Sequence, residues 1–317
     1  MSKNDPILKN RQYYKFCMYG FLKNLRFFDA FFILFLVDKG ISFTQIGMLY
    51  AIREIITNVF ELPSGIFADS FGRKHALAGS FILYISSFTV FYLFQSFWLF
   101  AIAFVFFGLA EAFRSGTHKG MIMDYLKLNQ REDQAANYYG HTRSWSQIGS
   151  ALSALMAGFI VFHGGSYESI FLYSIVPYIL NFMLILSYPD RLNRTLEPAE
   201  IKTWGRLWSA GRMLFSLLKQ FRVLRIIYSS AAHTAYLRAI RDYIQLVMVN
   251  LAMLLPFFFH PEQEQKSGVF VGILFFLIFL ASAGASRLSS HLARRSRHSM
   301  TRLTLVISFL GGALSGL

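Results

Sequence analysis

Ionisable residues sit inside stretches that are otherwise apolar, and their spacing is regular. Arg26 and Asp29 stand three residues apart, and Glu54, Asn58 and Glu61 fall at i, i+4 and i+7. Glu111 and Arg114 are again three apart, while Arg238 and Asp242 are four apart. On a helix each of these sets shares one face. At hydrocarbon depth an ionised side chain costs roughly 2.5–3.5 kcal/mol on insertion scales, so it turns towards a partner, the protein interior or a water-filled crevice. Arg26, Asp29, Glu54, Asn58, Glu111, Arg238 and Asp242 fall near the middle of their apolar runs, and with Glu61 and Arg114 they form the candidate set. A belt of mixed charge at that depth suits a site for a solute or an ion. Any single pair could instead neutralise itself and lock packing, but so many pairs on different helices would be an expensive way to pack. His118, His141 and His233 lack metal-ligand spacing with other His or Cys, so no metal is expected. The single cysteine, Cys17, excludes an intrachain disulfide.

These residues need long helices to hold them. The chain is 55% hydrophobic and only 15% charged, against about 25% charged in a typical soluble domain. Nine apolar runs approach or exceed spanning length: Phe16–Val37, Thr44–Ala68, His75–Phe94, Phe97–Leu126, Ala135–Phe162, Ser166–Tyr188, Val223–Phe258, Gly268–Leu288 and Thr301–Leu317. Charge sorts them. The first, second, fourth, fifth and seventh carry ionisable groups in their interiors and read as inner helices; the third, sixth, eighth and ninth carry almost none and read as helices with a broad lipid face. The formal net charge of +14 does not imply nucleic acid, because the basic residues cluster in alternate loops. One set holds Lys3, Lys9, Arg11, Lys15, Arg73, Lys74, Lys127 and Arg131, and the connector from Asp190 to Arg225 has eight Lys/Arg against three acids. All these loops fall on one face, which predicts a multi-pass inner-membrane protein with a cytoplasmic N-terminus. No cleavable signal peptide is expected, and the first run is read as a retained span. The connector divides the chain into a six-helix half, 1–188, a cytoplasmic linker, 189–222, and a part with about three helices, 223–317. A faint internal similarity, in which Arg241 and Asp242 match Arg26 and Asp29 while Arg287 matches Lys74, hints at parallel halves.

The most specific string runs from Pro63 to Lys74, between the second and third spans: Pro-Ser-Gly65-Ile-Phe-Ala-Asp69-Ser-Phe-Gly72-Arg73-Lys74. Gly65 is expected to allow close helix approach and Gly72 a tight turn. Asp69, at a helix C-terminus, needs a donor from elsewhere, and Asp124 at the end of the fourth span is the natural partner for Arg73. This string resembles the loop signature of the major facilitator superfamily: Gly65, Asp69, Gly72, Arg73 and Lys74 match, while Ser70 stands where that family usually has a basic residue.

The resemblance implies an all-α membrane bundle in which this loop switches the protein between inward-open and outward-open states. It implies that the first, fourth and seventh helices line the cavity while the third, sixth and ninth lie outside. The fifth helix lacks the Gly-Pro pair of drug antiporters, which weakens a multidrug-efflux reading. Against the family's twelve helices the chain reads as truncated in its ninth, and the family's partner for Asp69 lies on the eleventh. The expected function is transport of a small solute by alternating access, with Asp29 or Glu111 as the group exchanging a proton. A non-transporting remnant or membrane scaffold is the alternative. Expected partners are the lipid bilayer, the solute and protons, without nucleic acid or cofactor. No nucleophile–base pair, metal cluster or phosphate loop points to an enzyme.

Overall fold

The computed structural model describes residues 9–164, 166–193, 272–277 and 279–280. The seventh and ninth expected spans, with Arg238, Asp242 and Arg287, lie outside the described residues, as does most of the linker. Eight α-helices account for the six spans expected before residue 189: α1 (Arg11–Lys23), α2 (Phe32–Asp38), α3 (Phe43–Phe71), α4 (Arg73–Leu93), α5 (Phe97–Arg114), α6 (Thr117–Leu128), α7 (Ala135–Gly164) and α8 (Ser169–Leu186). The count exceeds six because the first and fourth spans are each broken, where continuous helices were expected. Among the described residues, four helical runs are long and apolar enough to cross a bilayer: Arg73–Leu93, Phe97–Leu128, Asn137–Val161 and Ser169–Leu186. The other two spans hold the densest intramembrane charge or a break.

Local sequence explains the ends. Asn10 caps α1, its Oδ1 accepting from the Gln12 and Tyr13 N–H groups at 3.1 Å. Ser42 and Gln45 form a capping box at the start of α3. Gly72 turns α3 directly into α4 with φ +105°, a conformation that favours glycine. A Cβ there would also collide with the Asn193 side chain. Asn193, just after α8, accepts the Lys74 N–H on its Oδ1 at 3.0 Å and the Arg73 N–H on its carbonyl at 3.1 Å. It thereby caps α4 from outside the helix. The Lys74 ammonium donates to the Tyr188 carbonyl at 2.9 Å and pairs with Asp190 at 3.0 Å, so the α3–α4 turn and the end of α8 are fastened together.

α3 packs on α5, α4 on α5 and α8, and α1 on α7 and α8. Aromatic rings fill the space between them: Phe28 stacks on Phe171 at 5.4 Å, and Phe32 on Phe104 at 5.3 Å. Many of the described phenylalanines are buried between helices, where ring geometry supplies the packing that lipid cannot drive. α8 keeps the lipid face expected of it, with Leu172, Val176, Leu180 and Met183 exposed. Within the eighth expected span, the described residues 272–277 pack on α7 with Gly272 against Ala154 and Gly158.

Candidate functional site

The break in the first span contains neither glycine nor proline, so its backbone groups must be satisfied by other means. Asn24 donates back to the Gly20 carbonyl at 2.7 Å and ends α1. Short turns satisfy part of the segment, with Leu25, Asp29 and Phe31 donating to the Leu22, Arg26 and Phe28 carbonyls at 3.1, 3.1 and 2.9 Å. Further partners for it and for the end of α1 come from one face of α8. Ser174 accepts the Phe27 N–H at 3.1 Å, Tyr178 donates to the Lys23 carbonyl at 3.1 Å, and Asn181 donates to the Tyr19 carbonyl at 3.1 Å. Ser174, Tyr178 and Asn181 recur at i, i+4 and i+7, so a single polar stripe on an otherwise apolar helix holds the break open. In the fourth span the break falls at Ser115–Gly116, where Gly116 takes φ +75°. Ser115 donates its hydroxyl to Glu61 at 3.0 Å.

Both breaks lie beside the same charge cluster. Arg26 donates to one oxygen of Glu111 at 2.9 Å, and Arg114 donates to the other. Each guanidinium is also held from behind by a phenol: Arg26 Nε donates to Tyr178 at 3.0 Å and Arg114 Nε to Tyr84 at 3.1 Å. With side chains 14–21% exposed, this Arg–Glu–Arg group is shielded from bulk water, and its charge-assisted bonds are correspondingly strong. It joins the broken first span to α5. On the facing wall Arg53 pairs with Glu54 at 3.0 Å and sits 4.6 Å from the Tyr50 ring centroid.

These groups enclose a cavity of about 330 Å³. Its walls come from the first span, α3, α5, α7 and residues 275 and 279, and none of it from α4 or α8. The division into inner and outer helices expected from charge is thus found for the described spans, except that the eighth, expected outside, lends Phe275 and Phe279 to the wall. Of the candidate residues, Arg26, Asp29, Glu54, Glu111 and Arg114 line the cavity. Asn58 and Glu61 do not. Both are exposed on α3, Asn58 with its amide donating to the Glu54 carbonyl at 2.7 Å. Lys23, Asn24, Arg53, Gln147 and Ser150 also line the space and were not among the candidates. Lys23 and Arg53 could have been found from their charge inside apolar runs. Asn24, Gln147 and Ser150 are neutral and gave no such signal.

In the loop, Arg73 reaches Asp124 at 2.6 Å, the pairing expected from sequence, and also Asp69 at 3.3 Å. A Cβ at Gly65 would meet no atom within 4 Å among the described residues.

The sequence profile of the Major Facilitator Superfamily matches residues 17–317. The chain belongs to the Major Facilitator Superfamily. A stretch of 90 residues is 36% identical to an uncharacterised MFS-type transporter, YxaM, of Bacillus subtilis (strain 168); it spans 28% of this chain and 23% of that relative. The fold is similar to that of the peptide transporter POT. The structure of POT with sulfate matches with a TM-score of 0.58 at 13% identity, over 95% of this chain and 71% of POT. A point mutant of POT in complex with alafosfalin matches at 0.57 and 15% identity, over 94% and 70%. As a superfamily member with long apolar helices, the protein is integral to a membrane.

Proposed function

We propose that this protein carries a small solute across the inner membrane by alternating access, through the cavity walled by Arg26, Asp29, Glu54, Glu111 and Arg114. The observation that carries the reading is the cavity itself: charged residues from three spans converge on it, and the two broken spans meet beside it. Broken helices at mid-membrane depth are a recurrent way to present backbone and side-chain polarity to a transported species. In this reading residues 1–188 and 223–317 rock against each other, joined by the cytoplasmic linker 189–222, with the N-terminus in the cytoplasm. Arg238 and Asp242 contribute from the second half. The loop of Gly65, Asp69, Gly72, Arg73 and Lys74, with Asp124, switches between the two states.

Proton coupling is assigned to Asp29 rather than Glu111. Both oxygens of Glu111 are engaged by guanidiniums, so its protonation would break two charge-assisted bonds. Asp29 lines the same cavity and acts on Arg26 and Lys23 through space.

The test is solute accumulation in proteoliposomes offered a metabolite mixture, read by mass spectrometry, with internal pH followed by a trapped dye. We expect a solute that enters with acidification of the lumen, and in Asp29→Asn entry without acidification. Accumulation no greater than in protein-free vesicles contradicts transport; undiminished acidification in Asp29→Asn contradicts the coupling role.

A further inference from the structure

A second cavity, of about 360 Å³, adjoins the first on the side where α1 begins. Lys23, Asn24, Arg114 and Gln147 border both, so the two spaces meet at these residues. The second cavity is lined by Lys23, Arg114, Lys119 and Arg143 and, among the described residues, by no carboxylate. In the first, the four cations Lys23, Arg26, Arg53 and Arg114 face three carboxylates, Asp29, Glu54 and Glu111. Among the described residues, cations therefore exceed anions along both cavities.

Lys23 is the focus of this excess. Its backbone carbonyl accepts from Tyr178, but among the described residues its ammonium makes no hydrogen bond or ion pair. Glu111, a carboxylate facing it, has both oxygens committed to Arg26 and Arg114. Glu111 and Asp29 act on this ammonium through space, but an ammonium at membrane depth with no carboxylate bonded to it among the described residues is costly, and an anion delivered to it recovers part of that cost. Neutral amides of Asn24 and Gln147 stand beside it, able to donate to further oxygens.

We propose that the junction of the two cavities binds the carboxylate or phosphate group of a small soluble organic anion, with Lys23 as its counter-charge. This rests on the transport reading above and narrows it to a substrate class. Lys119 and Arg143, nearer the mouth, draw the anion inwards by field rather than by contact.

The test uses the 317-residue chain in phosphatidylcholine nanodiscs and reads thermal unfolding with each probe at about 10 mM, where a ligand of sub-millimolar affinity gives a measurable rise. The probes are succinate and glycerol phosphate against their uncharged or cationic counterparts, namely succinamide, 1,4-diaminobutane and glycerol. We expect stabilisation by at least one anion and not by its counterparts. In Lys23→Gln the affinity falls roughly tenfold or more, the loss of one charge-assisted bond, and in Lys23→Arg most of it returns. Equal stabilisation by the counterparts, unchanged affinity in Lys23→Gln, or no effect of either anion overturns the proposal. So does stabilisation confined to discs containing phosphatidylglycerol, which would assign the site to a lipid headgroup. A neutral or cationic solute carried across proteoliposomes removes this inference and leaves transport standing. Lys23-dependent anion binding without flux does the reverse.

Discussion

Glu111 divides its two oxygens between guanidiniums that come from different spans, and each guanidinium is steadied by a tyrosine from an outer helix. Removing the carboxylate charge leaves Arg26 and Arg114 adjacent without the carboxylate that bridges them. Breaking a shielded ion group this way costs on the order of 3 kcal/mol. We expect Glu111→Gln to lower the midpoint of thermal unfolding and to slow solute flux at all pH values, with no change in the shape of the pH profile; a variant as stable as the parent would mean the clamp is not structural. At this scale the sequence was informative where charge was involved. Arg26, Asp29, Glu54, Glu111 and Arg114 stand out because ionisable groups are rare in apolar runs. Their phenolic supports, Tyr84 and Tyr178, do not, because tyrosine is common in a membrane helix and only the fold brings it behind an arginine.

Helices and turns show the same split. Gly72 has a positive φ and lies against Asn193, whereas a Cβ at Gly65 meets open space among the described residues. We expect Gly72→Ala to destabilise the protein by about 1–3 kcal/mol through backbone strain, and Gly65→Ala to be neutral or slightly stabilising through its helix propensity. Thermal unfolding of the two variants side by side checks this. At the opposite end of the bundle, Lys39 pairs with Glu168, which precedes the apolar run of α8. Burial would raise the Glu168 carboxyl, but the hydrogen bond from Lys39 outweighs it and holds the group below its usual range. Burial likewise opposes the Lys39 charge, yet Glu168 and Asp38 keep the ammonium above its ordinary value. A depressed carboxyl contributes stability above its unfolded value, near 4.5, and loses it as pH falls through the folded value. The raised ammonium contributes below about 10.5 and loses it on the alkaline side. Wild type should therefore lose more stability than Glu168→Gln on acidification below about pH 4.5; parallel curves would show that the pair contributes nothing. The spans themselves were legible from apolar length, but the breaks at residues 24–31 and 115–116 were not. The first has no helix-breaking residue and depends on Ser174, Tyr178 and Asn181 from α8. Their i, i+4, i+7 recurrence in an apolar run was the available sign that this helix offers hydrogen bonds on one side and lipid contact on the other.

Across the whole molecule, the account requires the space beside the two breaks to be wet and reachable in turn from both sides of the membrane. That requirement can be tested without knowing the solute. Cys17 is the one native cysteine, so a Cys17→Ala background carries no thiol to label. Thr57→Cys and Ser150→Cys place a thiol on the cavity wall, and Leu180→Cys places one on the exposed face of α8. The measurement is labelling by a membrane-impermeant maleimide applied separately to right-side-out and inside-out vesicles. The account predicts modification of the two wall positions from both sides and protection of Leu180→Cys by lipid. Protection of both wall positions from both sides, with Leu180→Cys modified, would contradict it.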